Sequence, residues 1–309
     1  MSEPGKMSKL PSLTVSEFNN NFIPVAMEMN TPPTPMHHFN THNKALANFP
    51  APGEDFYERF SERMVISFGS FWKVEKVFDR HSMTYKALKT STRSPLVSVY
   101  LKEKTAQQLL YRTSAFLALY DEMYFDKQTF YAVMPLYTSS VLEILARRTM
   151  AKEEILFVVW SVLMGLSTIN TFGLVHGDVK PKNILVDDGG RVKLSDFNSV
   201  QNIGSFCEIE ELGDPRYLAP ELKTGAVTAS SDVYSLGIST FEMATRHTFP
   251  TNMFNFALDD PLIIRAFNDC TLKDLYVSFT KANPLLRQVP SELVGCSIFL
   301  PVVSFRLSP

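Results

Sequence analysis

The run His176-Gly177-Asp178-Val179-Lys180-Pro181-Lys182-Asn183-Ile184-Leu185, followed by Leu194-Ser195-Asp196-Phe197, sets carboxylate, ammonium and carboxamide side chains at short spacings. Phosphoryl transfer asks for this set. It needs a carboxylate to orient an attacking hydroxyl and accept its proton, a cation near the moving phosphoryl group, and two oxygen ligands for Mg²⁺. Asp178 fits the base, Lys180 the phosphate contact, and Asn183 with Asp196 the metal ligands, with Asp178 and Asn183 five positions apart. The competing reading, a polar turn between apolar segments, requires several independent positions to coincide by accident.

Side chains in such a loop act only when rigid elements hold them. Phe56, Phe60, Met64 and Ile66 open an apolar series, and Phe71 to Val77 alternates as a strand does. Met83 to Leu88 and Thr129 to Met134 read as further strands. Helical spacing covers Val97 to Ser114, 152 to 171, Val233 to Ile238 and Leu272 to Phe279. The expected organisation is α+β: a small β-rich lobe at 55–137, a larger helical lobe at 138–303, and a cleft between them. Residues 1–54 are rich in Asn, Pro, Thr, Ser and Met without a sustained period and read as a flexible tail. Thr31-Pro32 and Thr34-Pro35 there read either as sites for proline-directed phosphorylation or as the dipeptides common in disordered segments, and 304–309 reads as a short C-terminal tail.

Composition narrows the classes. The 309 residues carry 30 Lys+Arg against 32 Asp+Glu, a net charge of −2, which argues against a nucleic-acid binder or an anionic-membrane binder. At 45% hydrophobic with 24 Phe, the chain can bury a substantial core. Cys207, Cys270 and Cys296 have no CxxC spacing, so neither a disulfide framework nor a cysteine zinc site is expected, and His37-His38 lacks companion ligands. A reducing intracellular setting, nucleus or cytoplasm, fits, and the N-terminus lacks the apolar core of a secretory signal. The most apolar stretch, Ile155 to Leu166, is shorter than the roughly 20 residues of a membrane span and reads as a buried helix.

With the loop motifs go Ala219-Pro220-Glu221, Asp232-Val233-Tyr234-Ser235-Leu236-Gly237 and Asn283-Pro284-Leu285-Leu286-Arg287. Together they make about 56–302 resemble a eukaryotic protein kinase domain. The resemblance implies a bilobal fold, ATP and Mg²⁺ as cofactors, and a protein substrate. It also implies a buried Glu221–Arg287 ion pair and an Asp232 that braces the catalytic loop; removing one partner of such a pair would strand a buried charge. Gly213 to Glu221 resembles the segment of Wee- and Myt-type kinases, which inhibit cyclin-dependent kinases by phosphorylating their glycine-rich loop, and Phe56 to Val77 is similar to the entry into that subfamily's domain. A cyclin-dependent kinase is the partner this implies, with Tyr or Thr as acceptor. Gly177 replaces the arginine usual before the catalytic aspartate, which argues against activation by docking a phosphorylated loop.

The same resemblance places ATP against Ser67, Gly69, Val74, Ala87, Lys89, Met134 and Leu136, with Asn183 and Asp196 through the metal. Three departures matter. Ser67, Gly69 and Trp72 stand at the three glycine positions of the phosphate-covering loop, so only Gly69 keeps the pattern; Trp72 either stacks outward or fills phosphate space. The helix glutamate expected to pair with Lys89 falls on Gln107, eighteen positions on, leaving Glu103 as the nearby acidic substitute or as a solvated helix charge. Asn198 replaces the glycine after Asp196-Phe197. Two readings follow: an active kinase, from the retained Lys89, Asp178, Lys180, Asn183 and Asp196, or a pseudokinase serving as a binding module.

Overall fold

The computed structural model describes residues 51–53, 55–69, 72–92, 97–126, 129–206, 213–223, 226–249 and 261–308. Residues 1–50 of the expected tail, with both Thr-Pro pairs and His37-His38, lie outside these, as do Phe71 and Cys207.

The first lobe starts with one helical turn, α1 (Phe56–Arg59), and five strands: β1 (Phe60–Phe68), β2 (Trp72–Asp79), β3 (Thr84–Ser91), β4 (Glu122–Asp126) and β5 (Thr129–Pro135). They form one antiparallel sheet in the order β1-β2-β3-β5-β4. Helix α2 (Val97–Leu110) lies between β3 and β4 in the chain. Strand alternation sorts the side chains. Phe56, Phe60, Val77, Leu88 and Val133 make one apolar layer. Trp72, Val74, Ala87, Lys89, Phe130, Ala132 and Met134 share the opposite face, with Val74 across from Lys89 and Ala87 across from Met134. Met83, expected in a strand, instead takes a left-handed conformation in the β2–β3 turn (φ 54°). Helix α2 ends before Ser114 because Arg112 is left-handed (φ 58°) and the Thr113 hydroxyl and amide both bond Leu110 O.

Arg59 fastens the sheet's outer layer. Its guanidinium forks onto Asp79 (2.7 and 2.8 Å) and Glu122 (2.7 and 2.8 Å). The Asp79 carboxyl is fully buried, and the Arg59 hydrogen bond holds it well below the usual carboxylate range against the opposing effect of burial. With a depressed folded value, this contribution is complete above the ordinary Asp value of about 3.9 and is lost only as pH falls further. Arg59→Leu is expected to cost about 3 kcal/mol in urea unfolding at pH 7, because it strands the Asp79 charge.

The second lobe contains β6 (Ser139–Ser140), α3 (Val141–Arg147), α4 (Lys152–Thr171), β7 (Leu174–Val175), β8 (Ile184–Val186), β9 (Val192–Leu194), α5 (Ser231–Thr245), α6 (Pro261–Arg265) and α7 (Cys270–Phe279). A capping box fixes the start of α3: the Ser140 hydroxyl accepts from the Glu143 amide, and Glu143 accepts from the Ser140 amide. Helix α4 is long and apolar enough to cross a membrane by length and composition, yet Ile155, Val158, Val159, Val162, Leu163, Leu166 and Ile169 are buried in the lobe's core. Around it pack Val233 and Leu236 of α5, Leu272 and Phe279 of α7, and Phe299. The C-terminal residues 304–308 lie against this body: the Leu307 amide bonds Gly190 O at 3.0 Å and Arg148 bonds Ser308 O at 2.7 Å.

Candidate active site

The loop that carries Asp178 lies between β7 and β8, and its geometry begins with α5. Asp232, in the first turn of that helix, accepts from the His176 amide at 2.6 Å and the Gly177 amide at 2.9 Å, fixing the loop's entry. His176 is fully buried, with Nε2 3.0 Å from Ser195 O and its ring edge-on to Phe197 at 5.3 Å, so it packs and spaces and does not reach the cleft. Gly177 has φ +80°, and a Cβ there would lie 2.3 Å from Ser199 O. The missing arginine is therefore a backbone requirement of this chain. Gly177→Arg is expected to cost at least about 3 kcal/mol of stability, read by thermal unfolding, from strain and overpacking together.

Asp178 is held from three sides. Lys180 Nζ lies 2.9 Å from Oδ1 and 2.7 Å from Oδ2, Asn183 Nδ2 donates to Oδ2 at 2.8 Å and to the Asp178 carbonyl at 2.9 Å, and the Asp214 amide donates to Oδ1 at 3.0 Å. Gly213 allows that last approach, since a Cβ there would fall 2.2 Å from Asp178 Oδ1. The expected trio of Asp178, Lys180 and Asn183 is thus one hydrogen-bonded unit. Arg216 in turn clamps Asp214 through Nε (3.1 Å) and a second guanidinium nitrogen (2.7 Å).

Across the cleft, Lys89 places its ammonium 3.1 Å from Glu103 Oε1, 2.7 Å from the Tyr120 hydroxyl and 3.0 Å from Asp196 Oδ1. Three donors meet three oxygens. Glu103 is fully buried and also accepts from the Tyr120 hydroxyl, so it is not a solvated charge but the acidic partner of Lys89, as the alternative to Gln107 expected. Gln107 is engaged elsewhere, with its Oε1 accepting from the Tyr120 amide at 2.8 Å. The expectation that Gln107 occupies the place of Lys89's partner is corrected on this geometry. Desolvation opposes the Lys89 charge, but Asp196 and then Glu103 outweigh it and raise the ammonium's pKa. Burial raises Glu103, whereas for Asp196 the Lys89 charge more than offsets burial and keeps the carboxylate ionised. The two partners of Lys89 thus move in opposite directions; three oxygen acceptors around one nitrogen favour the charged lysine.

Trp72 turns inward. Its ring is buried edge-on to Tyr100 of α2 at 4.9 Å, stands 4.4 Å from Lys89 Nζ, and gathers with Phe130 on the helix side of the sheet face. A separate apolar cluster joins Ala87, Ala118, Tyr120, Ala132 and Met134, with Val74, Leu136 and Leu185 packed against it. Leu185, from β8, packs against this cluster from the other lobe; it closes the Asp178 run in the sequence, but that run assigned it no role, and Tyr120 was missed because its role depends on contact with α2. Ser67 lies across from Val74, and the Gly69 amide closes the β1–β2 turn onto Trp72 O at 2.7 Å.

The donor set suits Mg²⁺. Asp196 offers a carboxylate kept ionised, Asn183 bonds Asp178 through Nδ2 and so can turn its carboxamide oxygen to a cation, and a hard ion that retains waters and takes phosphate oxygens needs little more. Among the described residues no three His, Cys, Asp or Glu gather as a metal cage. Farther down, Arg287 pairs with Glu221 and donates to Ser230 O at 2.8 Å, while the Ser231 hydroxyl bonds Glu221 at 3.0 Å.

The protein kinase domain family matches residues 60–282. The chain is 36% identical over 191 residues to the serine/threonine-protein kinase PknL of Mycobacterium tuberculosis, covering 59% of this chain and 45% of that protein. Identity to the Citron Rho-interacting kinase of Homo sapiens is 27% over 241 residues, 68% of this chain and 12% of that protein. Against the membrane-associated tyrosine- and threonine-specific cdc2-inhibitory kinase wee-1.3 of Caenorhabditis elegans it is 32% over 108 residues, 34% of this chain and 16% of that protein. The matched regions span less than half the length of each of these relatives.

Proposed function

Since the chain belongs to the protein kinase family and is an enzyme of it, we propose that it transfers the γ-phosphoryl group of ATP to a protein Ser/Thr or Tyr hydroxyl, with Asp178 as base. The observation that carries this is the fixing of Asp178 by Lys180, Asn183 and the Asp214 amide. Asp178 takes the proton as the hydroxyl attacks; Lys180 faces the phosphoryl oxygens; Lys89 grips the α- and β-phosphates. Val74, Ala87, Met134, Leu136 and Leu185 take the adenine, and Ser67 and Gly69 lie over the phosphates. Mg²⁺, held by Asn183 and Asp196, neutralises phosphate charge when bound.

Thermal shift of the purified chain with ATP, with and without Mg²⁺, tests the reading. Ligand at about 100 times its Kd adds about 2.7 kcal/mol of native stability, and Asp196→Ala should abolish the Mg²⁺-dependent part of the shift. No shift at millimolar ATP would overturn the nucleotide site.

For the acceptor we infer a Wee/Myt-like target, a Tyr or Thr in the glycine-rich loop of a cyclin-dependent kinase, acting inside the cell in cell-cycle control. Support comes from the Gly213 to Glu221 run and the partial similarity to the cdc2-inhibitory relative. Labelling a cyclin-dependent kinase whose loop Tyr is Phe and whose Thr is Ala should fail; equal labelling of wild-type and altered loops would count against this substrate.

A further inference from the structure

Trp72 and Asn198, the two residues that break the family's glycine pattern most conspicuously, touch each other: the indole Nε1 donates to Asn198 Oδ1 at 3.4 Å, across 126 positions of chain. We infer that Trp72 and Asn198 form a latch that holds Lys89, Glu103 and Asp196 in their assembled arrangement before any nucleotide binds. Both are positioning residues, and the inference rests on reading this cleft as a phosphoryl-transfer site.

The argument is one of connectivity. The three groups come from three elements: Lys89 from β3, Glu103 from α2, and Asp196 from the loop after β9. Lys89 already pairs with the other two, and Trp72 adds a second tie because it touches all three regions at once. Its ring face lies over Lys89 Nζ at 4.4 Å, a cation–π contact made in a desolvated setting. Its edge meets Tyr100, one helical turn before Glu103 on the buried stripe of α2. Its N–H reaches Asn198, two residues past Asp196 in the short helical turn Phe197–Ser199. Glycine at both positions would delete every one of these contacts. The indole packs with Tyr100 and Phe130, apart from the apolar group of Val74, Ala87, Met134 and Leu185. Two substitutions that singly read as damage are therefore mutual partners.

The chain has two tryptophans, so Trp160→Phe leaves Trp72 as the sole reporter. In that background, without nucleotide, Asn198→Gly should shift Trp72 emission to the red and raise acrylamide quenching. In the otherwise wild-type chain, Trp72→Phe, which keeps a core ring but removes the N–H, and Asn198→Gly should each lower kcat about tenfold with ATP KM changed much less. The double variant should be no worse than the poorer single, a coupling of about fivefold or more. Unchanged emission in Asn198→Gly together with multiplicative losses in kcat would overturn the latch. A wild-type chain that transfers no phosphoryl group would instead sink the reading of the site, while the emission arm would still decide whether the latch exists.

Discussion

Asp178→Asn is expected to lower kcat by about 10³-fold, within the range of general-base catalysis, while the thermal midpoint stays within about 4 °C of wild type. The asymmetry follows from the contacts. Asp178 Oδ1 accepts from Lys180 and the Asp214 amide, and Oδ2 accepts from Lys180 and Asn183 Nδ2. An asparagine fits the same space, but its NH₂ must face Lys180 and either the Asp214 amide or Asn183 Nδ2; Lys180 keeps the remaining oxygen, so the net loss is about one hydrogen bond, about 1 kcal/mol. It cannot take a proton from an attacking hydroxyl at any accessible pH, so the chemical step loses its base while the loop keeps its shape. The measurement is single-turnover phosphorylation beside a thermal melt of the same preparation. Equal rates for wild type and Asp178→Asn would remove Asp178 from the mechanism; a collapsed melt would make its role structural.

The parts of the site legible in the sequence are those set by local chain geometry. Asp178, Lys180 and Asn183 lie within one loop, so their spacing alone brings them together, and the structure bonds all three. The pairing of Lys89 is of another kind. Its partner depends on how far the chain between β3 and α2 carries the helix before it packs, and a fixed offset of eighteen positions put Gln107 where one helical turn earlier was required. A signal was present: Glu103 is in line with Tyr100, Ala106 and Leu110 at helical spacing, all buried, and a carboxylate in an apolar stripe needs a cation. Trp72 was half legible in the same sense. Taking Val74 as facing the cleft, the period of two puts Trp72 on the face of Lys89, but its partner Asn198 is joined to it only by the packing of the two lobes. Tyr120 belongs to no spacing rule, and Leu185, though it closes the Asp178 run, gains its role only from what the folded chain sets beside it.

The register of α2 makes the second large effect testable. Glu103→Ala is expected to reduce kcat/KM for ATP about 10²-fold, the scale of an ångström-sized misplacement of a phosphate-binding group. Gln107→Ala should cost about 1–3 kcal/mol of stability, through the unpaired Tyr120 amide, with kcat/KM changed by less than about fivefold. In Glu103→Ala the ammonium still has Asp196 and the Tyr120 hydroxyl, so its charge is not stranded and the fold survives; what fails is the direct ionic tether to α2. Lys89 then follows Asp196, the carboxylate that should turn to Mg²⁺, and the phosphates meet a lysine already engaged. The converse variant separates the two halves of the pair. Lys89→Met leaves Glu103 buried with only a tyrosine hydroxyl on Oε1, and about 3 kcal/mol of stability should go with the activity. Glu103→Ala losing activity while keeping most of its stability, and Lys89→Met losing both, is the pattern this geometry demands. A larger activity loss in Gln107→Ala than in Glu103→Ala would return the helix to the register that spacing alone suggested.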